Sequence, residues 1–504
     1  MKKIYKLLLV VLSTQSFAQD GALDTSFGIG GKVVTTINSD ERANSLVIQG
    51  DGKIVVAGYT FSNVSGNDVA CVRYNTDGSI DSTFGINGQA IFDILSGSDD
   101  KSTSIDIQSD GKLVLGGFSD DGTDKSCLIL RLNTNGTLDT TFGSAGKVLT
   151  NFTTAGVSVR QDEYRVVKIH ALTGNIIAGG TSFTSNTNSR MIIARYTSTG
   201  ILDNTFATAG KNISIPNSLV SSTYLASIED LAIKSNGKIS IVGNDLGYFY
   251  LGRLNTNGIM DTSFSSDGFN DNFQGRMFGV VLNNDDSINF TGDIVPLPQT
   301  QVYTGYIDGI GGGGSIAATT YDFGTTFDAY SFAIQKDNTG KLIVAGYLRD
   351  TNTGQNSFLV GRLLPNRTRD ISFGNNGFVT TAFTSNDNRA FDLKIQPNGR
   401  IVLAGISGGK IALARYINGV LSTSEFTSNE KSFQVYPNPT STILNIKTVE
   451  TNIAGLEYNI LDFGGRTLSK GILNEIGTIN VDQLHAGIYI LNVNGYTSAK
   501  FVKN

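Results

Sequence analysis

Short apolar runs recur along most of the chain, separated by turns rich in glycine. One kind alternates, as in Leu46-Val47-Ile48-Gln49, Ile105-Asp106-Ile107-Gln108 and Leu393-Lys394-Ile395-Gln396. A period of two marks a half-buried strand. A turn then leads into a near-continuous apolar run that ends in glycine. Examples are Asp51-Gly52-Lys53-Ile54-Val55-Val56-Ala57-Gly58 and Asn398-Gly399-Arg400-Ile401-Val402-Leu403-Ala404-Gly405. Asp-Gly and Asn-Gly between apolar runs are the strongest short hairpin signal. This turn recurs around Gly52, Gly111, Gly174, Gly237, Asp286, Gly340 and Gly399, which makes seven copies. A third run carries an arginine, as in Val72-Arg73-Tyr74, and a second turn follows it. The fourth run is short, as in Lys147-Val148-Leu149-Thr150. No segment keeps a helical period over a useful length.

A fixed motif precedes each fourth run. It reads DTSFGIGG at 24–31 and returns as DSTFGING (81–88), DTTFGSAG (139–146), DNTFATAG (203–210), DTSFSSDG (261–268) and DISFGNNG (370–377). Its phenylalanines, 27, 84, 142, 206, 264 and 373, are 57, 58, 64, 58 and 109 residues apart, and the last step is close to two ordinary ones. Four short strands, here called a, b, c and d, repeated seven times at such a period describe an all-β chain folded as a seven-bladed β-propeller. Copy five is degenerate, with its b strand at 288–292, its c strand near 302–307 and a glycine-rich d region at 309–315. The first d motif (24–36) precedes any a, b or c strand, and the seventh copy (391–416) lacks one after it. The N-terminal segment is therefore expected to lend its d strand to the last blade and close the ring, which removes exposed sheet edges.

Length and composition refine this picture. A chain of 504 residues is too long for one simple core unless the fold repeats. Only 16% of residues are charged, so Asn, Ser, Thr and Gly must supply the polar surface. Fifty-nine glycines against seven prolines point to many tight turns. The net charge is −5 with no basic block, which argues against nucleic acid or an anionic membrane as partner. Lys2 and Lys3, the apolar 7–12 and Ser16-Phe17-Ala18 read as a signal peptide over residues 1–18. That apolar run is too short to span a bilayer, and no later stretch reaches the length of a span. Residues 19–421 form the repeat region, 422–431 a polar linker, and 432–504 a separate unit whose alternating strands read as a small β-sandwich. Cys71 and Cys127 fall in apolar strands and read as small buried hydrophobes, with a disulfide left open for an exported protein.

The repeated arginine is a cation inside an apolar strand, which is costly unless paired. Eight residues beyond Arg73, Arg131, Arg195, Arg253 and Arg362 stand Asp81, Asp139, Asp203, Asp261 and Asp370. Beyond Arg415 the position is Thr423, whereas Asp24 has no arginine before it. Six structural Arg–Asp bridges are expected, with Asp24 meeting Arg415 across the ring closure. Copy five has Tyr306 and Gly314 at these places. A repeated catalytic dyad is the weaker reading, because repetition is what a fold requirement produces.

The combination [LI]-D-x-[ST]-F-G-x-x-G, D-G-K-[IL]-x-[VL]-x-G and A/L-x-R-Y/L-N-x-x-G over about residues 20–417 resembles the delta-60 repeats of bacterial secreted proteins. That resemblance implies an architecture and brings no site residues. The tail is similar to the type A C-terminal sorting domain of the type IX secretion system. Tyr436, Pro437, Asn438 and Pro439, then 464–466, then 484–489 with Gly487 and Tyr489, and finally Lys500 with 501–503 carry the likeness. It implies export through the periplasm to the extracellular space or outer cell surface, with the type IX secretion machinery as partner.

In an up-down meander the b–c and d–a loops share one face, and here those are the loops that vary. Variable loops on a rigid scaffold are where binding normally sits. Several d–a loops carry acids: Asp40 and Glu41, Asp99 and Asp100, Asp162 and Glu163, Asp322 and Asp328, with Asp387 alone in the last. They are candidates for Ca²⁺ or for a cationic or carbohydrate ligand, the plainer reading being solvated turn acids. Tyr248-Phe249-Tyr250 is a candidate sugar platform or strand packing. His170 and His485 form no zinc or Ser-His-Asp set. No catalytic residue and no cofactor is assigned. The expected function is a monomeric, non-catalytic scaffold that binds an extracellular glycan or protein through the b–c/d–a face. The alternative is an extracellular polysaccharide hydrolase or lyase with carboxylates on that face.

Overall fold

The computed structural model describes residues 19–152, 161–185, 188–213, 225–283, 285, 287–294, 299–307, 317–419, 433–448, 454–462, 467–493, 496 and 499–504. The expected signal peptide, the linker at 422–431 and the glycine-rich 309–315 lie outside them. Among the described residues every regular element is a β-strand. The chain divides into two compact units, Met1–Val420 and Leu421–Asn504.

In the first unit each repeat is a meander. Repeat one runs Glu41–Ile48 (a), Ile54–Ser62 (b), Gly66–Tyr74 (c) and Gln89–Phe92 (d), neighbours in that order. The later a strands are Asp99–Ile107, Gln161–Ile169, Ser227–Ile233, Arg276–Leu282, Phe327–Lys336 and Asn388–Ile395. Five sheets hold four strands, and a sixth holds eight because one parallel bridge, Gln161 to Lys125, joins repeats two and three. The last sheet takes its fourth strand from Lys32–Thr35, which runs antiparallel to Ile411–Tyr416. Upstream of it, the Gly21 and Asp24 amides donate to the carbonyls of Ile417 and Arg415, each at 2.8 Å. Each a strand packs on the a strand of the next repeat, and Asn388–Ile395 packs on Glu41–Ile48.

This packing explains the two kinds of apolar run. Strands b and c are covered on both faces by adjacent sheets, so they are apolar almost throughout. Strand a alternates because only one side of it is buried. The core lies between neighbouring sheets. One cluster joins Val47, Val55 and Cys71 to Leu113 and Leu128, and another joins Leu46 and Val72 to Val402 and Leu413.

All seven a strands carry a β-bulge at the same place. The unpaired residues are Asn44, Thr103, Arg165, Glu229, Phe278, Phe332 and Phe391. Opposite each bulge stands the glycine that ends the b run. A Cβ on Gly58, Gly117, Gly180, Gly243, Gly292, Gly346 or Gly405 would sit 1.8 to 2.2 Å from a backbone oxygen of strand a. The glycine is thus required by the bulge, and a bulge re-aims a side chain.

In the second unit, Phe433–Tyr436, Ile443–Thr448 and Thr478–Asn480 form one sheet. Thr467–Ile472, Glu457–Leu461, Gly487–Val493 and Ala499–Lys503 form the other. Phe433, Leu444 and Ile446 of the first share one core with Ile460, Leu491 and Phe501 of the second.

The bulge makes a stability prediction. Gly117→Ala is expected to cost about 3 kcal/mol, the upper end for overpacking. Gly50→Ala, where a Cβ meets nothing within 4 Å, should stay within about 0.5 kcal/mol. Urea unfolding of the two variants checks this, and equal midpoints would contradict it.

Candidate functional site

The seven bulged residues line one cavity of about 400 Å³, with Arg42, Tyr59, Lys101, Phe118 and Glu163 completing its wall. The bulged residues sit near the middle of their strands, and Arg42, Lys101 and Glu163 line the cavity two positions nearer the strand starts, on the side of the d–a loops. A further space of about 210 Å³ adds Lys168, Asp230, Asp392 and Lys394.

The wall has two unlike parts. Phe278, Phe332 and Phe391 form a chain of rings with centroids 5.0 and 5.8 Å apart. Tyr347 stacks on Phe332 at 5.9 Å and on Tyr330 at 4.5 Å. The Arg42 guanidinium lies 3.8 Å from the Phe391 centroid. On the other part, Arg165 reaches Glu163 at 2.7 Å and Glu229 at 3.7 Å, and Lys125 reaches Glu163 at 3.3 Å. The Glu229 carboxylate, followed by Glu163, holds Arg165 firmly cationic. Asn44 and Thr103 turn inward between these parts and donate to the backbone of the next repeat, to Ser102 and Tyr164 carbonyls at 2.7 Å. Rings flanked by fixed donors and acceptors suit a polar ligand with an apolar face.

Sequence reading missed this site. Its signal was the glycine that ends each b run: the bulged residue stands 14 positions before it, or 15 in repeat three with its longer turn.

The Arg–Asp pairs lie elsewhere, at the c–d end of each repeat. Arginine Nε meets Asp Oδ2 at 2.8 Å for Arg73–Asp81, Arg131–Asp139 and Arg195–Asp203. The distance is 2.7 Å for Arg253–Asp261, 2.9 Å for Arg362–Asp370 and 3.0 Å for Arg415–Asp24. The hydroxyl two residues after each aspartate donates to its other oxygen, at 2.6 to 2.7 Å, and accepts from arginine Nη2. The phenylalanine three residues on lies under the guanidinium, as Phe84 does at 4.7 Å from Arg73. A second cation, from the hairpin turn, completes five of the six nodes: Lys53, Lys112, Lys238, Lys341 and Arg400 each lie within 3.0 Å of the aspartate. Repeat three has Asn175 at that position. Arginine Nη1 then reaches the next repeat, donating to the carbonyls of Thr134, Ser198, Thr256 and, from Arg415, Thr76. In copy five Tyr306 replaces the arginine and packs under Arg367 of the next repeat, 5.0 Å from its ring centroid.

Burial raises the cost of charging these aspartates. The lysine, the hydroxyl and the arginine outweigh it and hold Asp81, Asp139 and Asp261 far below the usual carboxylate range.

Three of the loop acids are not solvated turn residues, whereas Asp40 and Asp322 are exposed. Strand a starts earlier than its apolar run suggests, and Glu41, Asp100 and Asp162 are 1%, 0% and 1% exposed. They accept backbone N–H groups of the d–a connection: Ile37 to Glu41 at 2.9 Å, Ile94 to Asp100 at 2.7 Å and Phe152 to Asp162 at 2.7 Å. Buried amides need such partners. Burial pushes the carboxyls of Glu41 and Asp100 up, with Asp93 adding to Asp100. Phe249 and Tyr250 are buried in the core, so the Tyr248–Tyr250 stretch does not form an exposed platform. Cys71 and Cys127 are free and buried. Asp350 folds its carboxylate onto the amides of Asn352 and Thr353, an ordinary turn.

In the second unit the motif Tyr436, Pro437, Asn438, Pro439 is docked by its asparagine. Asn438 donates to the Lys500 carbonyl at 3.1 Å and accepts from Val502 N at 2.8 Å. Gly487 pairs with Lys503 at the opposite edge of that hairpin, and Tyr489 packs on Phe501 at 5.6 Å and donates to His485 O.

Fold and site define a propeller-type repeat protein with an appended β unit. Residues 49–84, 108–142 and 173–206 match the Domain of unknown function (DUF5122) beta-propeller, and residues 434–504 match the secretion system C-terminal sorting domain. The chain carries delta-60-like propeller repeats and a type IX sorting domain. The sorting domain implies interaction with the type IX secretion machinery and export to the cell surface or extracellular space. No helix of the described residues is long and apolar enough to cross a membrane. No curated protein matches the chain. Among solved structures it is similar to the extracellular domain of a putative hybrid two component system from B. thetaiotaomicron. That likeness has 12% identity and a TM-score of 0.41 over 94% of this chain and 57% of that one. Sqt1 from Chaetomium thermophilum has 12% identity and a TM-score of 0.42 over 76% and 97%. The polysaccharide lyase Uly1 has 12% identity and a TM-score of 0.43 over 75% and 90%.

Asp139→Asn is expected to cost about 3–5 kcal/mol at pH 7, because it leaves the buried Arg131 without its carboxylate. A carboxyl held below its unfolded value stabilises fully above about pH 4 and loses that contribution as pH falls toward the folded value. The gap between variant and parent should therefore narrow below about pH 4. Urea titrations at pH 7 and pH 3 check this, and a gap that is constant across them would contradict it.

Proposed function

We propose that this chain is an exported seven-bladed β-propeller without catalysis, closed by its N-terminal d strand, that binds an extracellular glycan or protein at the b–c/d–a face. Closure draws support from the pairing of Lys32–Thr35 with Ile411–Tyr416 and from the Asp24–Arg415 contact. In this reading the six Arg–Asp pairs are structural braces, residues 19–421 form the propeller and 432–504 form a β-sandwich sorting domain. Export starts from a signal peptide, passes the periplasm and leaves a monomer outside the cell.

One observation carries the binding role. The braces repeat almost without change, whereas the seven bulged residues at the centre are Asn, Thr, Arg, Glu, Phe, Phe and Phe. Positions that the fold alone requires stay alike from repeat to repeat, and these do not. Three rings opposite a charged wall favour a glycan, which offers a hydrophobic sugar face and hydroxyls together. The hydrolase or lyase reading takes second place, because both acids of the cavity are engaged by Arg165.

A glycan array on the full chain tests this reading. At least one acidic or neutral glycan should bind, and Phe332→Ala should weaken it at least tenfold while the melting temperature of the variant stays within a few degrees of the parent. No binding anywhere on the array would contradict the glycan assignment. Cleavage of a bound polysaccharide would favour the second reading.

A further inference from the structure

Asp68, Asp93 and Asp100 come together at the loop face of repeats one and two. One carboxylate oxygen from each lies within 4.8 Å of the other two. Asp68 lies near the start of strand c of repeat one, Asp93 follows strand d, and Asp100 is the second residue of strand a of repeat two. Two of the three are buried, Asp68 at 5% and Asp100 at 0% exposure. Asp100 is served by Ile94 N and Ser98 Oγ, and Asp68 Oδ2 accepts from Ser65 Oγ at 2.6 Å. The second oxygen of Asp68, Oδ1, is buried with no hydrogen-bond partner. A buried carboxylate oxygen left bare is costly unless a cation meets it. Among the described residues no lysine or arginine makes an ion pair with any of the three. The nearby Lys101 pairs with Asp99 instead.

The trio also breaks the repeat. Five residues before the brace arginine, where repeat one has Asp68, other copies have Ser126, Arg190, Tyr248, Ser357 and Lys410. At the place of Asp93 stand Thr36, Asn151 and Ala382. Only one repeat has both acids, so the fold itself does not call for them.

We propose that Asp68, Asp93 and Asp100 form a single Ca²⁺ site that ties the b–c loop of repeat one to the d–a connection entering repeat two. All the ligands offered are hard oxygens. Carboxylate oxygens within 4.8 Å of one another lie within roughly 2.8 Å of a common point, so small side-chain shifts bring all three to the roughly 2.3–2.6 Å of calcium ligation, whereas magnesium requires about 2.0–2.1 Å in a stricter octahedron. Waters complete the shell on the side of the exposed Asp93. This site does not rest on the glycan reading.

Calorimetric titration of the full chain, freed of metal by a chelator, tests the proposal. One Ca²⁺ per chain should bind, and the melting temperature should rise with Ca²⁺. Asp93 is exposed, so Asp93→Asn should fold with an unchanged metal-free melting temperature and bind Ca²⁺ at least tenfold more weakly. Asp68→Asn should abolish the Ca²⁺-dependent rise. No heat of binding in the parent, or undiminished binding by Asp93→Asn, would overturn the site. An equal rise with Mg²⁺ would overturn the calcium assignment.

Discussion

The structure depends on one ion pair, made six times and buried in five of them. Each arginine sits in an apolar strand where an unpaired charge would be untenable, and its aspartate arrives from the turn that begins strand d. The pair alone would not suffice. The hydroxyl, the ring under the guanidinium and the turn lysine satisfy what remains, and the last guanidinium nitrogen crosses to the following repeat. The motif glycine after the phenylalanine makes a parallel link, Gly85 N to Asn135 O at 2.7 Å, at a positive φ that suits glycine. The node therefore fixes both the c–d turn within a repeat and the spacing between repeats. In copy five the node is absent, and a tyrosine takes an arginine from its neighbour instead.

A second device runs through the repeats at their inner strands. The terminal glycine of strand b lets strand a bulge, and the bulge turns one side chain per repeat toward the same cavity. Framework and cavity are thereby separated. The node tolerates little change, while the bulged position makes no cross-strand pair and is free to differ. Polar residues from the first four repeats and phenylalanines from the last three give the cavity its two unlike sides.

Much of this was legible in sequence. The four-run pattern could be read because strands b and c are covered on both faces and strand a on one, and each burial state leaves its own periodicity. Arginine and aspartate could be matched because a short c–d turn holds them eight residues apart. The lysine of the hairpin turn was harder to place, since its partner lies 28 residues away in Asp81 and the turn alone explains Asp-Gly-Lys. The cavity was not legible. Its residues share no chemical type, and the glycine that aims them reads in isolation as the end of a strand. The loop acids misled for a related reason. Asp suits a turn on its own, and nothing local tells that Asp100 turns inward to hold a backbone amide.

One ion-pair node recurs along the repeats and also joins the two ends of the repeat region. Asp24 and Arg415 test it most directly, because 391 residues separate them. A double-mutant cycle with Asp24→Asn and Arg415→Met, followed by urea unfolding, measures their coupling. An interaction energy of about 1–3 kcal/mol is expected, the range for partners in one network. Additivity within about 0.5 kcal/mol, the behaviour of distant sites, would contradict it.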